Sequence, residues 1–66
     1  MVIFQYLIRT SDKTKDRIFH GAEKKEEAIN YARTIAIEDN GVTVKEVEFI
    51  NNKVFSEKII FDSSED

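Results

Sequence analysis

Ala22-Glu23-Lys24-Lys25-Glu26-Glu27-Ala28-Ile29-Asn30-Tyr31-Ala32-Arg33-Thr34-Ile35-Ala36 reads as one amphipathic helix, and its reading decides the fold. At about 100° per residue, Ala28, Ile29, Tyr31, Ala32, Ile35 and Ala36 share an arc of roughly 160°. The small alanines on that arc permit close approach to a sheet. Glu26 and Glu27 lie in the first turn, where the positive end of the helix dipole favours them. The helix is expected from about Lys24 to Asp39. Asn40-Gly41 is its stop, since glycine takes the left-handed conformation cheaply and Val42 can fold back onto the last turn. Ile37 points almost opposite the core arc.

Alternating apolar runs flank this helix on both sides. Residues 2–9 carry Val2, Phe4, Tyr6 and Ile8 on one face and Ile3 and Leu7 on the other. A strand apolar on both faces is usually central or covered by a partner. Thr10-Ser11-Asp12-Lys13-Thr14-Lys15-Asp16 is a polar turn, and Ile18 to Ala22 reads as the return strand. Residues 43–50 and 54–61 form a second hairpin. A three-residue loop, Asn51-Asn52-Lys53, pairs Glu46 with Lys58, Phe49 with Phe55 and Val44 with Ile60. A two-residue loop would oppose Glu46 to Glu57 and Lys45 to Lys58, both unfavourable. The three-residue register places Val47, Phe49, Phe55, Ile59 and Phe61 against the helix and Val44, Ile50, Val54 and Ile60 on the other face. The expected fold is α+β, a four-stranded mostly antiparallel sheet with one helix on one face (ββαββ). Whether the third or fourth strand lies beside the first is left open.

The chain has 66 residues and no cysteine, which bounds what it can be. A domain this small buries only about 60% of the surface its unfolded chain exposes, so its core is marginal without a staple. Disulfides, thiolate zinc sites and a nucleophilic thiol are excluded by composition. Self-association, as a homodimer, is the staple that remains. No apolar run approaches the ~20 residues that span a bilayer, and Met1 to Ile8 lacks the layout of a signal peptide. A soluble, cytoplasmic protein is expected. Residues 1–61 form one domain, and 62–66 are expected to be an acidic, frayed tail. That tail, with three acids and no base, accounts for the net charge of −3. Residues 1–33 hold seven Lys/Arg against five Asp/Glu (+2), and residues 34–66 three against eight (−5). A dedicated nucleic-acid binder is usually basic overall.

Few residue sets point to chemistry. His20 is the one histidine, with no second histidine or tight carboxylate set to complete a metal site or triad. The serines lack a nucleophile-elbow pattern, and Gly21 and Gly41 cannot build a phosphate-cradling loop. Glu46 and Glu48 share a strand face with Glu57 near, an arrangement open to acid–base work but more simply read as a solvated face paired with Lys58. Arg9, Lys13, Lys15 and Arg17 gather around the first hairpin turn, with Lys24 and Lys25 at the helix start. Such a patch could touch phosphates, though Asp12, Asp16, Glu23, Glu26 and Glu27 are interleaved with it and no aromatic stands ready for base stacking. No catalytic, cofactor-binding or metal residue is expected. The candidate partner-binding residues are Arg9, Lys13, Lys15, Arg17, Glu46, Glu48 and Glu57.

The order hairpin, Ala-Glu-x-x-x-Glu-Ala-x-x-x-Ala helix, hairpin resembles a layout of small phage and mobile-element proteins, some anti-CRISPR inhibitors among them. The resemblance spans Ile3 to Phe61 and lies in the layout, so no functional residue is carried over. It implies stoichiometric binding to a larger protein machine. The expected function is therefore a non-enzymatic protein–protein binding module, of the phage-inhibitor type. The alternative is a weak nucleic-acid-binding accessory protein using the basic first hairpin.

Overall fold

The computed structural model describes residues 1–11, 13–38 and 41–64. Strands β1 (Val2–Arg9) and β2 (Arg17–His20) form the first hairpin, a short 3-10 turn (Ala22–Lys24) leads into helix α1 (Lys25–Ala36), and β3 (Thr43–Ile50) and β4 (Lys53–Asp62) form the second. The sheet is antiparallel throughout, in the order β2-β1-β3-β4. The ββαββ expectation therefore stands, and β1 is interior with β3 beside it. Among the described residues no helix is long and apolar enough to cross a membrane.

The core forms where α1 crosses β1 and β3. Tyr6, Ile8, Phe19 and Val44 rise from the sheet to meet Ala28, Ala32 and Ile35, and Val42 closes one end. Ala28 and Ala32 are both 0% exposed, so the helix backbone rides close to the strands, as the alanine spacing implies. Ile37 is 83% exposed, in line with its place opposite the core arc. Gly21 makes the corner between β2 and the helix. Its φ of 105° is one that L side chains rarely adopt, and its N–H donates to the Phe4 carbonyl at 2.8 Å. The expected stop at Asn40-Gly41 falls partly outside the described residues, but Val42 does fold back, fully buried against the helix.

The second hairpin differs from the three-residue loop expected. Asn51 and Asn52 both have positive φ, 51° and 67°, and Ile50 pairs directly with Lys53. This is a two-residue turn of the kind whose twist suits a hairpin, and asparagine tolerates the left-handed region it requires. Two register shifts in β4, at Phe55 and at Ile60, then move the pairing along. The first restores Glu46 opposite Lys58 after a two-residue turn; the second sets Val44 opposite Phe61 instead of Ile60. Phe49 meets Val54 rather than Phe55.

The faces of the second hairpin differ in part from expectation. Val44 and Ile60 lie on the helix side, and Val47, Phe49 and Ile59 on the other, the reverse of the faces expected; Phe61, on the helix side, and Val54, on the other, lie as expected. The helix covers only the Tyr6–Ile8–Val44 end of its sheet face, leaving Glu46 and Glu48 on the same side at its margin. Strand β4 runs through Asp62, past the boundary drawn at Phe61. Ser63 donates its N–H to the Val42 carbonyl at 2.9 Å and accepts from the Val42 N–H through Oγ at 3.0 Å. Asp62 accepts from the Ser64 hydroxyl and N–H, which hold its carboxyl below the usual range. Glu65 and Asp66 lie outside the described residues.

Candidate interaction face

The basic group around the first hairpin is dispersed by the pairing of β1 with β2. Ile8 pairs with Arg17, which puts Arg17 on the helix side, while Arg9 projects to the opposite face. The Arg17 guanidinium lies 4.7 Å from the Phe19 ring centre and 5.2 Å from that of Tyr31, and the two rings meet edge-on at 5.9 Å. This cation is engaged in packing against aromatic faces. Lys15 pairs with Glu38 at 3.8 Å, and its carbonyl accepts from the Tyr31 hydroxyl at 3.2 Å. Lys24 pairs with Glu27, and Lys25 reaches Glu46 at 4.0 Å. Lys13 sits in the turn with φ 66°. Asp12 lies outside the described residues; Asp16 is exposed, and its Oδ1 accepts from the N–H and hydroxyl of buried Thr10.

The carboxylates do not converge either. Glu46 and Glu48 lie on the helix side, whereas Glu57, opposite Val47, lies on the other face. Glu57 pairs with Lys45 at 3.3 Å, and Glu48 accepts from the Ser56 hydroxyl at 3.3 Å. Glu46 is the most enclosed of the three, with its side chain 12% exposed. It accepts from the Tyr6 hydroxyl at 3.0 Å and lies 3.5 Å from the Lys58 ammonium. Among the described residues no set of acids and histidines is arranged to hold a metal ion. His20, opposite Gln5, is exposed on the face away from the helix.

The Tyr6–Glu46 bond has a consequence at high pH. Burial of the phenol, reinforced by the hydrogen bond to Glu46 and the nearby negative charge, pushes its pKa up to about 12 from 10. The folded state therefore holds this proton more tightly than the unfolded chain does. Its stabilising contribution is complete below pH 10 and is lost as pH rises through about 12. A rise of this size corresponds to at most about 2.7 kcal/mol. Urea unfolding of the native chain should weaken over this window relative to Tyr6→Phe, which shares the lysine titrations but lacks the phenol. Parallel curves for the two proteins would refute the coupling.

What the sheet does bring together is apolar. On the face away from the helix, Ile18, Leu7 and Ile59 lie in one cross-strand row with Lys45, and Ile3, Phe49 and Val54 lie in another. Between these rows run His20, Gln5, Val47 and Glu57, and Arg9, Thr43 and Asp62 lie at one end. Ile18, Val54 and Ile59 are each more than half exposed. A shallow hollow lined by Leu7, Arg9, Thr43, Lys45 and Ile59 opens on this face. No described element covers it. The total accessible surface is 4720 Å², against about 4300 Å² expected for a monomer of this mass. The sequence pattern supplies apolar residues for a second face, but the register expected from it assigns much of the β3 and β4 set to the helix side.

Comparison with known proteins finds no matching family model, no matching curated protein and no matching solved structure.

Proposed function

We propose that this chain is a non-enzymatic protein-binding module that docks through the sheet face opposite the helix. One observation carries the reading: six apolar side chains, Ile3, Leu7, Ile18, Phe49, Val54 and Ile59, are wholly or partly exposed around the buried Val47 on a face that no described element covers. Monomeric proteins rarely expose a contiguous apolar surface of this kind without using it. The sheet edges are poorer docking sites. The β2 edge has four residues, and the β4 edge is interrupted by two register shifts and carries Lys53, Glu57 and Lys58. Bulges and charges of this sort blunt strand addition. Stoichiometric blocking of a larger protein, as the likeness to phage-type inhibitors implies, is one use of such a module.

The alternative reading, nucleic-acid binding by the first hairpin, is less well supported, because Arg9 and Arg17 lie on opposite faces and Lys15 and Arg17 already have partners. Affinity capture from host lysate, with and without nuclease, separates the two. Captured protein should persist after nuclease and fall at least tenfold with Ile59→Glu, the size expected for disrupting a desolvated contact. A double variant, Lys13→Glu with Lys15→Glu, should leave it unchanged. Capture that vanishes with nuclease, weakens with salt and depends on Lys13 and Lys15 would overturn the proposal in favour of phosphate contacts.

A further inference from the structure

We infer that the occupant of this open face is a second copy of the same chain, seated face to face with its strands aligned and both helices outward. The inference rests on the reading of the face as a protein interface and assigns its partner. The face is complementary to itself. Each open face carries two cations, Arg9 and Lys45, and two anions, Glu57 and Asp62, with Asp16 at its rim, so it offers little net charge to a strongly charged partner.

Its pattern also matches itself about one particular axis. A two-fold axis lying between β1 and β3, parallel to the strands, exchanges β2 with β4 and β1 with β3 across the interface. Ile18 then meets Ile59 of the second copy, and Ile3 meets its Phe49. His20 meets its Glu57, Gln5 lies over its already buried Val47, and Arg9 lies over its Thr43, one strand from its Asp62. The aliphatic stem of Lys45 covers Leu7 of the second copy while the ammonium stays with Glu57. An axis perpendicular to the strands fits less well. Placed between the Gln5 and Leu7 rows it sets Arg9 against Ile3, Leu7 against Gln5 and Ile59 against Glu57; placed on the Gln5 row it matches Ile3 with Leu7 and Val54 with Ile59 but sets Glu57 against its own copy. The parallel arrangement brings exposed Asp16 towards Asp62 of the second copy, a repulsion at the rim that the hydrogen bonds from Thr10 to Asp16 and the neighbouring Arg9 moderate. Aligned packing of this sort, with a crossing near 30°, is one of the two ways in which sheets stack.

The size of the face sets the strength expected. Strands of 8, 4, 8 and 10 residues, spaced about 4.8 Å apart and rising about 3.3 Å per residue, give a footprint of roughly 500 Å² before side-chain relief. Stable interfaces bury about 800 Å² per partner. The dimer should therefore be concentration-dependent rather than obligate. It would supply the staple that a 66-residue chain without cysteine otherwise lacks.

Sedimentation of the full chain from micromolar to millimolar concentration, combined with two exposed substitutions, tests the assignment. Ile18 and Ile59 are 54% and 53% exposed within one chain, so Ile18→Lys and Ile59→Glu should leave the circular dichroism spectrum unchanged. Each variant alone should dimerise at least about tenfold more weakly than the native chain, since it buries a charge against isoleucine. An equimolar mixture should recover the dimer. One contact then sets the introduced ammonium against the introduced carboxylate, while the other keeps Ile18 on Ile59, an outcome peculiar to this pairing. A native chain that stays monomeric to millimolar concentration overturns the inference, as does a mixture that dimerises no better than its components. If the native chain is monomeric but Ile59→Glu still abolishes capture of another protein, self-pairing alone fails and the open face remains a protein interface. If neither effect appears, both readings fall.

Discussion

Tyr6→Ala should leave the chain largely unfolded at 25 °C, whereas Tyr6→Phe should cost only about 1 kcal/mol. Tyr6 is 2% exposed and sits centrally in the core, on β1, with Phe19 and Glu46 opposite it on the flanking strands. Truncating a large buried ring to alanine typically costs about 3–5 kcal/mol, from lost transfer energy and the cavity left behind. A single core in a domain this small rarely supplies more than about 3–5 kcal/mol in total. The two quantities are the same size, so the native state is no longer the majority species. Tyr6→Phe keeps the ring and removes one hydrogen bond to Glu46, which retains Lys58 at 3.5 Å and Lys25 at 4.0 Å. Urea titration followed by circular dichroism at fixed protein concentration distinguishes the two, because self-association makes apparent stability concentration-dependent. A cooperative transition for Tyr6→Ala, with a midpoint near that of the native chain, would show that the core is not organised around this ring.

The parts of the fold legible in the sequence were those that periodicity and charge report directly. The helix followed from its alanine spacing, the interior position of β1 from apolar residues at both parities, and the Glu46–Lys58 pair from charge opposition. The faces of β3 and β4 were not legible, for two physical reasons. Counting by twos along a strand holds only while the pairing is regular, and the extra residues at Phe55 and Ile60 break it. The helix also spans only part of its sheet face. Glu46 and Glu48 therefore occupy helix-side positions, and hydrophobicity stops marking which side is inward. Asn51-Asn52 was the available signal for a two-residue turn, since both residues tolerate positive φ; a bulge after it satisfies the charge register equally well. The basic group was read from closeness in sequence. Pairing of Ile8 with Arg17 separates Arg9 from Arg17 across the thickness of the sheet, a consequence visible only once the register is known.

Ala32→Leu should destabilise the domain by about 2–3 kcal/mol, although it adds apolar surface and leucine is a good helix former. Ala28 and Ala32 are 0% exposed at the contact of α1 with the sheet, and the buried side chains of Ile8 and Val44 belong to the same cluster. Added carbons at position 32 have no space unless the helix lifts from the strands. Lifting it would open the contact around Ile35 and Val42 and draw Tyr31 away from Phe19 and from the Lys15 carbonyl. Ile37→Ala provides the control, because Ile37 is 83% exposed and makes no core contact. That change should stay within about 0.5 kcal/mol of the native chain, as surface substitutions usually do. Thermal unfolding of the two variants compares directly with the native protein. Equal melting temperatures for Ala32→Leu and the native chain would mean that the helix has slack above the sheet, and that the alanines are there for helix propensity rather than for close approach.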